Sequence, residues 1–335
     1  MMKLKVYTAE HHNPHFNLAT EDWLFQSTDV DEHILFLWRN QPCIVIGRFQ
    51  NPWEECNLEA MEADNVILTR RQSGGGAVYH DLGNTNFTFM SPRGSYSKET
   101  NFAIIISALK TLGIKAETSG RNDIVVEGKK ISGSAFKLNA NRAFHHGTLL
   151  IRTDLKAIST YLTPDKEKLE SKGIKSVASR VANLTSFNQH LTHETLCQAI
   201  IDQFFTTYGS VCPIEELTFE RLSREPELAR TYERYADWQW RFGSTPQFSH
   251  TVKHRFPWGM IRIYFDVSEA IVRSSVIYSD ALDIGFIESL QSLFIGMQYN
   301  CSLIAEKIRS TFLQASAEQK SYADDVADLL MRELS

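Results

Sequence analysis

Cysteine is scarce and scattered: Cys43, Cys56, Cys197, Cys212 and Cys301 are the five in 335 residues. An odd number without paired spacing gives no disulfide framework and no metal-binding knuckle, so a reducing, cytoplasmic setting is expected. Surplus positive charge is missing too, because 35 Lys+Arg stand against 40 Asp+Glu and the net charge is -5. Nucleic-acid binding needs a basic footprint and is therefore not expected. No window approaches the roughly 18 consecutive apolar residues of a membrane span. The start, Met1 to Tyr7, turns polar by Glu10 and lacks the apolar core of a signal peptide.

Several familiar motifs are absent as well. Gly128-Lys129 is followed by Lys130, and Gly120 is wrongly spaced, so there is no P-loop. Gly74-Gly75-Gly76 is followed by Tyr79 where the dinucleotide fingerprint wants glycine. His193-Glu194 continues as Thr195-Leu196-Cys197, which excludes the zinc-protease pattern, and His11 and His15 flank Pro14 and read as surface histidines.

What is present is sharper. Arg70-Arg71-Gln72-Ser73-Gly74-Gly75-Gly76-Ala77-Val78-Tyr79-His80-Asp81 places two guanidiniums ahead of three glycines. Glycine lets main chain approach a ligand and visit positive φ, and successive amides there can hold an anion. Arginine adds a fork suited to carboxylate or phosphate. A second block, Ser119 to Ala135, carries Asp123 and Lys130 between strand-like segments. A third runs from His145 to Leu150. Fixed cations and backbone donors with one nearby acid suit activation of a carboxylate on ATP, where negative charge builds on phosphorus and pyrophosphate. Each residue also has a plainer reading. The glycines make a tight turn, Lys130 is a solvated hairpin lysine like Lys129, and His80 and His146 are hydrogen-bonded structural histidines. Asp123 caps a turn with Asn122, or pairs with Lys130 or Mg2+.

The spacing predicts mixed α/β structure in two domains, a large one over 1–245 and a small α+β one over 246–335, divided near Gly243-Ser244-Thr245-Pro246. Ile34 to Trp38 and Cys43 to Ile46 read as a hairpin across Arg39 to Pro42. Val66 to Thr69, Phe87 to Met90 and Gly147 to Ile151 read as strands, and Ile124 to Ile131 as a hairpin over Glu127 to Lys130. Phe102, Ile105, Ile106, Leu109 and Leu112 mark a helix stopped by Gly113, and Thr192 to Gly209 marks another with both caps visible. Ile261 to Val267 alternates as a half-buried strand, Ile271 to Tyr278 returns antiparallel, and helices follow from about Ile284.

Arg70 to Asn84, Ser119 to Phe136 and His145 to Leu150 together resemble the lipoate–protein ligase A family of the biotin/lipoate ligase superfamily. Leu35 to Asn40, Val45 to Asn57 and Phe248 to His250 extend the likeness over nearly the whole chain. The resemblance implies a fold shared with biotin protein ligases: an α+β catalytic domain with mixed and antiparallel sheets and flanking helices, plus an accessory domain. It implies that lipoate attacks the α-phosphorus of MgATP to give lipoyl-AMP, which then acylates a lysine of a lipoyl domain. The acceptors implied are the acyltransferase subunits of 2-oxoacid dehydrogenases and the glycine-cleavage H protein. Motif by motif, Lys130 is the catalytic residue, and Arg71, Gly76, Ala77, Val78, Tyr79, Lys130 and Asp123 bind ATP or the adenylate. Lys130, Ser73, Gly75, His80 and His146 bind lipoate, with Val45, Ile46 and Val78 offering a slot for its tail. The run from Thr163 to Arg180 resembles a mobile cover. No metal site is implied beyond Mg2+ carried by ATP, with Asp123 as a further ligand. A relative that transfers a preformed acyl group through a cysteine is disfavoured, since no cysteine lies between Cys56 and Cys197.

Overall fold

The computed structural model describes residues 3–163, 181–242, 250–268 and 270–333. Of the Thr163–Arg180 run only Thr163 lies within them, and the Gly243–Pro246 boundary lies outside. The chain divides into two compact units: Met1–Ile46, Pro52–Gln72 and Ala77–Phe242 form the first, and Gly47–Asn51, Ser73–Gly76 and Gly243–Ser335 the second. A linear reading sees the C-terminal part of the second unit, but not the two short segments it draws from the first hundred residues.

In the first unit the strands are β1 (Lys3–Ala9), β2 (Glu32–Trp38), β3 (Cys43–Ile46), β4 (Ile67–Arg70), β5 (Val78–His80), β6 (Asn84–Pro92), β7 (Glu117–Ser119), β8 (Asp123–Val126), β9 (Lys129–Leu138), β10 (Arg142–Leu150) and β11 (Ile214–Leu217). Among the described residues eight of them form one sheet in the order β11-β1-β2-β6-β10-β9-β8-β7, and β4-β3-β5 form a second. The helices are α1 (Pro14–Ser27), α2 (Pro52–Glu55), α3 (Leu58–Ala63), α4 (Lys98–Thr111), α5 (Leu155–Tyr161), α6 (His193–Tyr208), α7 (Pro226–Ala236) and α8 (Trp238–Arg241).

Alternation along the large sheet separates two cores. Leu35, Leu37, Phe87, Phe89 and Leu149 face Phe102, Ile105 and Leu109 of α4 and Leu196, Ile200 and Phe204 of α6. Ile34, Phe36, Trp38, Met90 and Phe144 point the other way and meet Phe16, Leu24 and Phe25 of α1 together with Val45 of β3. The expected hairpin over Ile34–Ile46 is therefore wrong, because β2 belongs to the large sheet while β3 pairs with β4 and β5. The turn-like residues between them carry the chain from one sheet to the other, with Gln41 N donating to His12 O at 2.9 Å.

Other local expectations match. The β8–β9 hairpin turns on Glu127 and Gly128, both at positive φ, 51° and 72°, the combination that suits strand twist in a two-residue turn. Helix α6 has Thr192 and Thr195 in a capping box and ends at Gly209 with φ 63°. Helix α1 gave no periodic signal because nearly its whole circumference is buried, although Asn13 caps it by accepting from His15 N and Phe16 N, and Pro14 opens it. His15 is not a surface residue; it is buried, with Nδ1 3.1 Å from Thr69 Oγ1.

The second unit holds β12 (His250–Phe256), β13 (Gly259–Ser268) and β14 (Ile271–Ser279), an antiparallel sheet. Helices α9 (Ile284–Leu293), α10 (Cys301–Thr311) and α11 (Ala317–Glu333) cover one face, where Ile261, Ile263 and Phe265 meet Phe286, Ile308 and Val326. No helix among the described residues is long and apolar enough to cross a membrane.

Candidate active site

Strand register lays the site out in rows on the face of the large sheet that looks toward α1 and β3. One row runs Asp123–Gly133–Thr148–Asn86–Trp38 across β8, β9, β10, β6 and β2, with Gly133 N donating to Thr148 Oγ1 at 3.2 Å. The next runs Ala135–His146–Thr88–Phe36. Small and polar side chains fill the middle of both rows, whereas Met90 and Phe144 occupy the row beyond.

Lys130 stands at the open end of the first row. Its Nζ lies 2.7 Å from Asp123 Oδ1, with the two side chains 34% and 22% exposed. A Cβ added to Gly133 would lie 2.9 Å from that Nζ, so glycine leaves the space the ammonium occupies. Of Asp123's plainer and functional readings, the structure therefore shows the pairing with Lys130. Lys129, next door, is exposed.

At the other end, His146 Nδ1 donates to Glu21 Oε1 at 2.8 Å, Thr88 Oγ1 donates to the same oxygen at 2.6 Å, and Trp38 Nε1 donates to Thr88 Oγ1 at 3.3 Å. Glu21 and His146 are buried. Sequence reading missed Glu21, and the only signal for it was the Asn13-Pro14 helix start that places it on α1. Asp22 beside it is also buried and within 3.8 Å of Lys137. The Lys137 ammonium in turn donates to Gln72 Oε1 at 3.4 Å.

The arginine pair splits. Arg70 gives Nε to Trp240 O at 2.9 Å and Nη2 to Arg241 O at 2.8 Å, so its fork serves structure, contrary to the expectation of a shared anion clamp. Arg71 is buried and gives Nη1 to Val45 O at 2.9 Å. Burial pulls its pKa down to about 10, while the Glu21 carboxylate works the other way. His80 is buried too, and its pKa falls to about 3 because burial, then the Arg71 charge and His146, disfavour the imidazolium. The three apolar residues expected to line one slot do not share a face. Val45 and Val78 are cross-strand partners within the core facing the large sheet, while Ile46, one residue on from Val45, joins Met61 and Tyr79 on the opposite side.

Within the second unit main-chain bonds hold the glycine loop. Gly75, at φ 90°, donates its N–H to Ala281 O at 3.2 Å, and Ser73 O accepts from Arg48 N at 2.9 Å. A Cβ on Gly74 would come within 2.1 Å of Ala281 O, so backbone packing alone requires that glycine. The expected anion cradle thus has at least one of its amides bonded to a carbonyl. All five cysteines are free, and burial among apolar side chains drives the Cys56 thiol up to about 12. Among the described residues no three His, Cys, Asp or Glu side chains cluster as a metal site.

Known proteins supply the class. Residues 13–205 match the lipoyl protein ligase A/B catalytic domain, and residues 245–330 match the bacterial lipoate protein ligase C-terminus. A lipoate–protein ligase A of Psychrobacter cryohalolentis is 51% identical over 338 residues, covering 99% of each chain. The crystal structure of P. falciparum LipL1 in complex with lipoate is 36% identical with a TM-score of 0.87, covering 98% of this chain and 100% of that one. An archaeal bi-partite lipoate protein ligase, described with its E2 lipoyl domain, from Thermoplasma acidophilum is 27% identical with a TM-score of 0.64, covering 75% and 100%. A lipoate–protein ligase A bound with ATP is 27% identical with a TM-score of 0.62, covering 72% and 98%. This chain belongs to the lipoate–protein ligase A family. Its activity is that of an ATP-dependent lipoate–protein ligase.

Proposed function

We infer that the reaction is divided between the two ends of the Asp123–Trp38 row, with Lys130 as the catalytic residue. A lipoate carboxylate oxygen forms a bond to the α-phosphorus of ATP, the bond to pyrophosphate breaks, and lipoyl-AMP results. The amine of an acceptor lysine then forms the amide at the acyl carbon, loses its proton, and AMP departs. The observation that carries this is the Lys130 ammonium held over the bare Gly133 backbone by Asp123 at 2.7 Å. A cation fixed there can bridge the acyl oxygen and the α-phosphate, and one such preorganised donor is worth roughly 10²–10³ in rate.

Arg71 with Gly76, Ala77, Val78 and Tyr79 is assigned to ATP and the adenylate, and Ser73, Gly75, His80 and His146 to lipoate, whose tail lies along Val45 and Val78. Mg2+ asks for one or two carboxylates and otherwise takes phosphate and water oxygens. Asp123, the carboxylate beside Lys130, fits such a site, and the ion arriving with ATP would supply charge neutralisation on the phosphates. Residues 1–245 are the catalytic part and residues 246–335 the accessory part. Acceptors are the acyltransferase subunits of 2-oxoacid dehydrogenases and the glycine-cleavage H protein, in the cytoplasm. Neither nucleic acid nor membrane is a partner. The free thiols and the need for ATP support that location. An acyl-cysteine route finds no support, because Cys56 is buried with its thiol held protonated. The test is lipoate-dependent exchange of labelled pyrophosphate into ATP, together with the mass of an apo lipoyl domain incubated with lipoate. A lipoyl mass shift without ATP overturns the adenylate route.

A further inference from the structure

The chain around Arg71 is anchored on both sides by a corner where α7 and α8 meet. Asp237 makes that corner: its Oδ1 accepts from Gln239 N at 2.7 Å and from Trp240 N at 3.3 Å, so it caps α8. Helix α8 is four residues long, and the carbonyls of its last turn have no intrahelical donors. The Arg70 fork meets them, with Nε on Trp240 O at 2.9 Å and Nη2 on Arg241 O at 2.8 Å. Trp240 Nε1 returns a bond to Arg70 O at 2.9 Å. The residue before Arg71 is thereby tied to α8 from both its side chain and its backbone.

On the other side of Arg71, Gln72 takes Lys137 Nζ at its Oε1. That turns its Nε2 toward Asp22 Oδ2, 3.5 Å away. Arg234 of α7 donates Nη2 to the same Asp22 oxygen. The Arg234 guanidinium also lies over the Trp240 ring, 5.2 Å from its centroid. One side chain on α7 therefore steadies both anchors, Trp240 before Arg71 and Asp22 after it.

The need for such a brace follows from the strand. β4 has four residues and stands at the edge of the β4-β3-β5 sheet. The end of so short an edge strand opens at little cost, yet Arg71 follows it directly. Arg71 itself holds Ile46 O through its main-chain N–H at 3.0 Å and Val45 O through Nη1 at 2.9 Å. A guanidinium recognises phosphate through a fork of fixed geometry, so its aim is set by the backbone that carries it. Misplacement by about an ångström costs up to about a hundredfold in rate.

We propose that Trp240 and Arg234 are positioning residues of the ATP site: through Arg70 and Gln72 they hold the Arg71 guanidinium on the phosphates. This rests on the assignment of Arg71 to ATP above and extends it to side chains that act through others.

The test is lipoate-dependent pyrophosphate exchange by the full-length protein, with KM for ATP and KM for lipoate measured separately. Trp240→Phe keeps a ring under Arg234 and loses the N–H that holds Arg70 O. Arg234→Met keeps the apolar stem of an exposed side chain and loses the bond to Asp22. Each should raise KM for ATP about tenfold, with KM for lipoate and the thermal midpoint nearly unchanged. Combined with Arg71→Met, neither should add to the loss that Arg71→Met causes alone, because coupled residues are not additive. An unchanged KM for ATP in both variants, equal rises for both substrates, or additive losses in the combined variants overturns the proposal and leaves Arg71 in the ATP site. An unchanged KM for ATP in Arg71→Met itself removes Arg71 from that site, and this proposal with it.

Discussion

At the scale of single residues, Lys130 and Gly133 act as one device. The ammonium lies 2.9 Å from where a Cβ at 133 would stand, so a methyl group there would push it aside. Lys130→Ala should cut lipoate-dependent pyrophosphate exchange by 10²-fold or more with the thermal midpoint nearly unchanged, since the residue is partly exposed. Gly133→Ala should lower the same rate about tenfold while Lys130 remains in place, an effect of misplacement rather than deletion. Exchange at the normal rate in both variants would remove Lys130 from the chemistry. Gly75→Val meets two obstacles, the φ of 90° and loss of close main-chain approach, and should raise the KM for lipoate strongly. An unchanged KM would take Gly75 out of the binding loop.

Secondary-structure elements show which features of the chain could be read in advance. Helix α6 was visible because Thr192, the apolar periodicity and Gly209 all agree. The β8–β9 hairpin was visible because Gly128 sits between two β-branched runs. Glu127 occupies a left-handed position there, φ 51°, that asparagine tolerates better. Glu127→Asn should therefore stabilise the protein by about 0.5 kcal/mol, seen as a higher urea midpoint at constant slope. Helix α1 escaped notice because burial on all sides erases the amphipathic stripe, and Glu21 and Asp22 went unread with it. The Ile34–Ile46 hairpin failed for a different reason: adjacent β-rich runs specify strands but not which sheet each will join. The slot residues failed through strand parity, since Val45 and Ile46 are neighbours in sequence and opposites in space.

For the molecule as a whole, stability should depend on pH through histidines kept neutral inside it. His15 and His193 are each brought down to about 4, chiefly by burial, and His80 to about 3. Their unfolded value is about 6.5, so the unfolded chain binds protons the native one refuses. That contribution is fully present above about pH 6.5 and is lost as pH falls toward 4. Urea midpoints should thus drop steadily from pH 7 to pH 5, and a flat profile would show that other groups compensate.

The bond from Gly75 N–H to the carbonyl of Ala281, and the absence of room for a methyl group on Gly74, bear on where this enzyme can be cut. A chain shortened after Phe242 keeps both cores around the large sheet, yet Arg48 to Gln50 and Ser73 to Gly76 lose the scaffold they rest on. Such a fragment should melt cooperatively but adenylate lipoate poorly until residues 243–335 are supplied as a separate piece. The severable parts of this protein and its working parts do not coincide.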